Sequence, residues 1–330
     1  MAEHQSDPSP GSLGRVPEFF IIGHENSGTT ALYRMLRQHP QIFMPDLKEP
    51  RFFIAEPPKD PSALRGKRPH TLPDYLALFA PALPGQLAGE ASPQYIRSKD
   101  AARLIAEVQP AARIIAILRE PTSFLRSFHN QCVRGSIEDQ NDLRRALALE
   151  PLRREGKRIP RGSPAPERLL YSEHIRYVEQ LRRFRAEFPA EQVMVIIYED
   201  FRRDNDATLR RTLRFLEVDD TVELEKSDVT RVRKAVRFQR MHRIAISLQR
   251  ARRRPARAGK LARTVNALTP SRLQGGALED LVRRAVFAVP RPLDEKLTRE
   301  LRRRFKGEVE ALSEYLDRDL VGFWGYDDID

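Results

Sequence analysis

The stretch from Pro17 to Leu36 constrains this chain more than any other, because it reads as buried strand, glycine-bounded loop and helix start in immediate succession. Phe19 to Ile22 is a continuous apolar run, the pattern of a strand covered on both faces. Gly23 ends it, and from Thr29 or Thr30 a helical period puts Leu32, Met35 and Leu36 on one face. In such a unit the loop amides and the positive end of the helix dipole converge, which makes an anion site. Gly23 and Gly28 have the spacing of the phosphate-binding loop G-x-x-x-x-G-K-[ST], but Thr29 stands where that motif has its lysine. Nucleoside triphosphatases use that lysine on the outer phosphates. A loop without it suits a ligand with one 5′-phosphate and no γ-phosphate, and speaks against an ATP-using kinase. Taken alone, the loop is equally well a structural turn between strand and helix.

The residues that follow carry a resemblance. Ser27-Gly28-Thr29-Thr30, then His39-Pro40, then Lys48-Glu49-Pro50-Arg51-Phe52-Phe53, is similar in order and spacing to the opening of the sulfotransferases that use 3′-phosphoadenosine 5′-phosphosulfate (PAPS), in particular the heparan-sulfate or Golgi type. A second match lies at the apolar run Ala112 to Leu118, which leads into Arg119-Glu120-Pro121 and then Phe124, Arg126, Ser127 and Phe128. The resemblance implies PAPS as donor and adenosine 3′,5′-bisphosphate (PAP) as product. It implies that Asn26, Ser27, Gly28, Thr29 and Thr30 bind the 5′ end, and that Arg119 and Ser127 bind the 3′-phosphate. The chemistry agrees, since arginine offers a planar fork of donors to phosphate oxygens. Ligands of open α/β sheets also bind beyond the carboxyl ends of strands. Without the resemblance, Arg119 is a partner for Glu120 or another carboxylate and Ser127 a helix-surface hydroxyl.

For the chemical step the resemblance points to Glu49 as general base, because an acceptor hydroxyl must lose its proton as it attacks sulfur. The residues alone would make Glu49 a surface carboxylate paired to Lys48 or Arg51; Glu90 is the reserve candidate. In the family a basic residue usually stands where this chain has Asn26, meeting the oxygen that bridges phosphate and sulfur. Either Asn26 marks an impaired, PAPS- or PAP-binding relative, or Lys48 or another cation supplies the missing charge. Gly89-Glu90-Ala91-Ser92-Pro93-Gln94-Tyr95 is also similar to a family segment near the reacting groups. Polysaccharide-modifying members often have a basic residue where Ala91 stands, which weakens the case for a polyanionic sugar acceptor. The acceptor class that remains is a small molecule or a glycoside.

The chain of 330 residues carries a net charge of +12, which admits nucleic acid, anionic membrane surfaces and anionic small ligands alike. No zinc-ligand spacing, aromatic-basic RNA-binding pattern or zipper favours nucleic acid. No apolar run approaches the ~20 residues that cross a membrane. With no secretory signal at the N-terminus and one cysteine, Cys132, the expected location is cytoplasmic. Nothing in the sequence sets the oligomeric state, and no metal site is visible.

Strands alternating with helices predict a three-layer α/β/α fold, phosphate-loop-like, around a mostly parallel sheet of about five strands. Residues 1–15 read as a disordered tail and 16–330 as one domain. Further strands are expected at Gln41 to Met44, Gln86 to Glu90 and Gln192 to Tyr198. Helices are expected near Tyr75 to Phe79, at Ala101 to Val108, through Leu169 to Phe188, through Leu209 to Leu216 and from Leu293 to Leu320. Asn130 to Pro166 reads as a helix and a mobile connection. Glu199-Asp200 is expected to position the helix after it, His174 to be structural and Trp324 to be core. The basic segment 230–260 is a solvated helix, a lid over the anionic cofactor, or an attachment to anionic lipid.

Overall fold

The computed structural model describes residues 15–54, 68–160, 163, 166–225, 235–236, 287–288 and 294–329. Five strands form one sheet: β1 Phe19–Gly23, β2 Ile42–Phe43, β3 Leu87–Ala91, β4 Arg113–Leu118 and β5 Val193–Ile197. Their spatial order is β2-β3-β1-β4-β5 and every pair is parallel. This is the expected α/β architecture. The apolar runs of β1 and β4 follow from their central places, where both faces are covered and alternation is lost.

The two faces of the sheet separate by period two. Phe19, Ile21, Ala91, Ile115, Ile117, Met194 and Ile196 point to one side. There they pack with α1 (Thr29–Leu36), through Leu32, Met35 and Leu36, and with Leu209 and Leu213 further along the chain. Phe20 points to the other side, with its ring against Phe53 and Tyr95. The remaining helices are α2 Leu72–Leu76, α3 Ala101–Val108, α4 Pro121–Arg134, α5 Leu143–Ala148, α6 Glu150–Arg154, α7 Tyr177–Glu187, α8 Tyr198–Arg203, α9 Asn205–Phe215, α10 Glu295–Tyr315 and α11 Leu320–Trp324. The apolar stripe Leu297, Leu301, Phe305, Val309 and Leu312 of α10 is buried, as is Trp324 in α11.

Two compact units emerge among the described residues, 15–54, 68–124, 174–225 and 305–328 in the first and the remainder in the second. The first holds the five-stranded sheet. The second contains most of α4, α5, α6 and the antiparallel pair β6 Ala235–Val236 with β7 Phe287–Ala288. It also buries an ion pair: Arg153 donates from Nη1 and Nη2 to the two oxygens of Glu138, each at 2.8 Å, and the Tyr171 hydroxyl donates to Glu138 at 2.9 Å. That pairing ties Glu138, between α4 and α5, to Arg153 in α6. Cys132 is buried, as an inert thiol would be.

Several boundaries move, among them that of the helix expected from Leu293 to Leu320, which ends at Tyr315 while Leu320 opens α11. The expected helix from Leu169 becomes two turns of 3-10 helix, Pro166–Leu169 and Tyr171–Ile175, before α7, because Arg176 at φ −72°, ψ 63° is not helical. The strand expected to reach Tyr198 stops at Ile197, and Tyr198 opens α8. Near Tyr75 the helix starts earlier, on a Thr71 cap whose hydroxyl accepts from Asp74 N, and its last turn is 3-10, Ala77–Phe79. Of the basic segment 230–260, only 235–236 lie within the described residues, so its three readings, solvated helix, lid and lipid attachment, fall outside them.

Candidate active site

The candidate residues other than Ser127 lie in the first unit, at the carboxyl ends of three neighbouring strands, β3, β1 and β4. The loop after β1 is set by backbone geometry. Gly23 sits at φ 138°, and a Cβ there would lie 2.3 Å from the carbonyl oxygen of Ile117 in β4. Only glycine lets β1 run to its end against β4, and the next amide, His24 N, donates to that same oxygen at 3.0 Å. Asn26 at φ 65° and Gly28 at φ 91° turn the chain back in left-handed conformations, and Thr29 starts α1. Gly28 occupies the cap position and offers no side chain, so no side-chain cap satisfies the first turn of the helix. The Ser27 hydroxyl is fully buried with no hydrogen-bond partner among the described residues. An uncapped helix start beside an unsatisfied hydroxyl fits the 5′ end of a phosphorylated ligand. Thr29 is buried, while Asn26, Gly28 and Thr30 are half-buried.

His24 anchors the loop from below. Its ring lies 4.6 Å from the ring of Phe124 and 4.4 Å from that of Tyr177, and Nε2 meets Gln180 Oε1 at 3.1 Å. The amide nitrogen of Gln180 donates to His174 O, so its oxygen faces His24 and the imidazole proton sits on Nε2. Burial pushes the His24 pKa down to about 4, which keeps the ring neutral near pH 7. Glu25 is buried and pairs with Arg97 at 3.6 Å.

Arg119 follows β4. Its Nη1 donates to the carbonyl of Asn26 at 2.8 Å, and Nε and Nη2 donate to Ser123 Oγ at 2.9 and 2.6 Å. The guanidinium lies 4.5 Å above the Tyr198 ring, and the Tyr177 hydroxyl donates to the Arg119 carbonyl at 2.8 Å. Glu120 caps α4, accepting from the amides of Thr122 and Ser123 at 3.0 and 2.7 Å. Beside Arg119 a cleft of about 620 Å³ is lined by Ser123, Tyr198, Glu199, Phe323 and Trp324, among others. Glu199 accepts from Trp324 Nε1 at 3.2 Å, and Asp200 pairs with Arg318, so both carboxylates of the acidic pair hold structure together. Ser127 lies half-buried on α4, in the second unit. Its part in binding rests on the resemblance alone.

Glu49 lies beyond β3, with its amide donating to Ala91 O at 3.1 Å. Lys48 Nζ donates to Glu49 Oε1 at 3.1 Å, while Arg51 Nη2 and Gln94 Nε2 donate to Oε2. Burial works against the charge on Glu49, but Lys48 and Arg51 outweigh it and hold the carboxyl down to about 2. The pairing that the residues alone suggested is therefore present, and it sits within the cluster rather than away from it. Glu90, the reserve candidate, is fully buried and accepts at Oε2 from the hydroxyls of Tyr75 and Tyr95.

Sequence reading missed Ser123, Tyr177 and Tyr198 as supports of Arg119. Ser123 had a signal, four residues after Arg119 at a helix start. Tyr177 and Tyr198 had none, because their places depend on α7 packing and on β5 lying next to β4.

Comparison with known proteins fits this geometry. The family model of the sulfotransferase family matches residues 17–222. The chain is similar to human bifunctional heparan sulfate N-deacetylase/N-sulfotransferase 3, 26% identical over 208 residues, covering 62% of this chain and 22% of that protein. It is similar to mouse heparan sulfate glucosamine 3-O-sulfotransferase 3A1, 26% identical over 219 residues, covering 64% of this chain and 50% of that protein. The chain thus spans half or less of the length of these relatives. The crystal structure of a sulfotransferase from Alicyclobacillus acidocaldarius shares the fold, with a TM-score of 0.65 at 24% identity over 93% of this chain and 98% of that one. With its family model spanning well over half of its length, the chain belongs to the sulfotransferase family.

Proposed function

We propose that this chain moves a sulfuryl group from PAPS to a hydroxyl or amine of an acceptor, a small molecule or glycoside, and releases PAP. The observation that carries this reading is the convergence at the ends of β3, β1 and β4 of an uncapped helix start, an arginine and a carboxylate held between two cations. When bound, PAPS supplies the sulfuryl group in activated form. Ser27, Gly28, Thr29 and Thr30 hold its 5′ end through amides and hydroxyls, and Arg119 holds the 3′-phosphate. Glu49 accepts the proton of the attacking acceptor. Its carboxylate is charged at neutral pH, and Lys48 and Arg51 fix its direction. Lys48 also supplies positive charge that Asn26, a neutral hydrogen-bonding residue, does not bring. Catalysis then rests on positioning and charge stabilisation.

The relatives, which by name act on heparan sulfate and its glucosamine, support a glycoside acceptor. Ala91, without a basic side chain, favours one of low charge. The neutral Asn26 supports a second reading, a PAPS- or PAP-binding relative with weak transfer. The deciding experiment is a thermal-shift series. PAP raises the melting temperature without Mg²⁺, because it binds the folded state preferentially. Stabilisation by Mg-ATP and none by PAP overturns the reading.

A further inference from the structure

We infer that Glu90 is a positioning residue for the segment that carries Glu49, acting through the hydroxyl of Tyr95. The inference rests on the reading of Glu49 as the base. Glu49 at φ 61° and Arg51 at φ 56° are left-handed residues with full side chains, two positions apart. Such backbone is costly and persists only where its surroundings over-determine it. Here the surroundings are three hydrogen bonds from alternate amides to the end of β3 and the turn after it. Glu49 N donates to Ala91 O at 3.1 Å, Arg51 N to Ser92 Oγ at 3.1 Å, and Phe53 N to the Tyr95 hydroxyl oxygen at 3.3 Å.

The third bond depends on Glu90. A tyrosine hydroxyl has one proton, and its oxygen can receive the Phe53 amide while the proton goes elsewhere. At Tyr95 the proton goes to Glu90 Oε2, at 3.1 Å. The same oxygen accepts from Tyr75, whose ring stacks on Phe52 at 4.6 Å and meets Phe53 edge-on at 5.2 Å. One buried carboxyl thus orients both tyrosines against which Phe52 and Phe53 rest. The charged or polar groups that face it are the two tyrosine hydroxyls, Ser92 and Lys48, and the register neighbour on β1 is Phe20. The carboxyl works as an acceptor here, and an amide oxygen in the same place does the same work.

Amide hydrogen exchange followed by NMR on the full chain tests this, with wild type, Tyr95→Phe, Glu90→Leu and Glu90→Gln. In Tyr95→Phe and Glu90→Leu the amides of Arg51 and Phe53 exchange at least ten times faster, while Ile21 and Ile115 in the central strands keep their protection. Glu90→Gln restores wild-type exchange. Carbon-13 titration of the Glu49 carboxyl adds a signature: its midpoint rises in Tyr95→Phe and stays put in Glu90→Gln. Unchanged exchange at Arg51 and Phe53 in Tyr95→Phe overturns the inference, and so does equal loss of protection in the central strands. Should Glu90→Leu not fold, Glu90→Met, closer in volume to glutamate, takes its place with the same readout, and unchanged exchange at Phe53 in it overturns the inference. Neither readout uses donor or acceptor, so failure of the sulfuryl-transfer reading leaves this result standing, and failure here leaves that reading standing.

Discussion

Arg119 donates from Nη1 to the main-chain carbonyl of Asn26 at 2.8 Å, so one side chain beyond β4 braces the loop beyond β1. Its proposed ligand contact is the 3′-phosphate. Arg119→Ala therefore weakens PAP binding by about 1.5–3 kcal/mol, the usual worth of a hydrogen bond to a charged group. Adenosine 5′-monophosphate loses less, only what the loosened brace takes from the loop. Titration calorimetry with both nucleotides measures the difference, and equal losses remove the assignment.

Glu49→Gln lowers transfer by roughly 10²- to 10⁴-fold, the range for a general base. PAP affinity, set by the loop and Arg119, stays near wild type. Single-turnover transfer together with calorimetry reads both, and near-normal turnover in the variant moves the base elsewhere.

The carboxyl of Glu49 is held down to about 2 against its own burial by Lys48 and Arg51. A depressed carboxyl contributes stability above its ordinary value near 4.5 and loses it as pH falls toward 2. Arg51→Gln removes one of the two cations and raises the Glu49 midpoint, which a carbon-13 titration follows. A midpoint unchanged in that variant leaves Lys48 as the cation that matters.

Burial pushes Glu90 up to about 7, against the pull of Ser92, Tyr75, Tyr95 and Lys48. Between pH 4.5 and 7 the folded chain then holds a proton that the unfolded chain has released, so the stability from this group is complete below pH 4.5 and is lost as pH rises through 7. The change is roughly 3 kcal/mol at most, at about 1.4 kcal/mol for each tenfold difference in proton affinity between the folded and unfolded chain. Urea unfolding at pH 5 and pH 8 shows this decline in wild type, and Glu90→Gln flattens it.

Asn26 has two meanings that one variant separates. A lysine there restores an ionic donor and raises the single-turnover transfer rate by roughly 5–30-fold, at about 1.4 kcal/mol per factor of ten. The position is left-handed, φ 65°, where asparagine is among the few tolerated residues. Asn26→Lys therefore also costs about 1 kcal/mol of stability. A rate that does not rise, in a folded variant, shows that the charge already comes from elsewhere.

The strand–loop–helix unit and β4 were legible because both are local: a run of apolar residues, a glycine, and a helical period declare themselves within twenty or so positions. Trp324 was legible as core from the resemblance of the closing segment to the family C-terminus. The state of Glu49 was not. Its partners Lys48 and Arg51 are adjacent in the sequence, but the left-handed turns that fold all three together depend on hydrogen bonds to Ala91, Ser92 and Tyr95, some forty residues away. The left-handed backbone at Asn26 was equally hidden, and it offers a conformational reason for asparagine beside the catalytic one. The buried pair of Arg153 and Glu138 was not legible, because composition does not say which two of many charges will meet.

Gly23 has a consequence for how ligand preference could change. It lets β1 close on the backbone of Ile117, two residues before Arg119. The span between the loop and that arginine is thus gauged by strand register, a rigid ruler made of main chain. Side-chain exchange within the loop alters what each end grips, but not how far apart the grips stand. On the proposed reading of the loop and Arg119 as the two ends of a nucleotide site, a relative that took a nucleotide of different length would need to shift the pairing of β1 with β4.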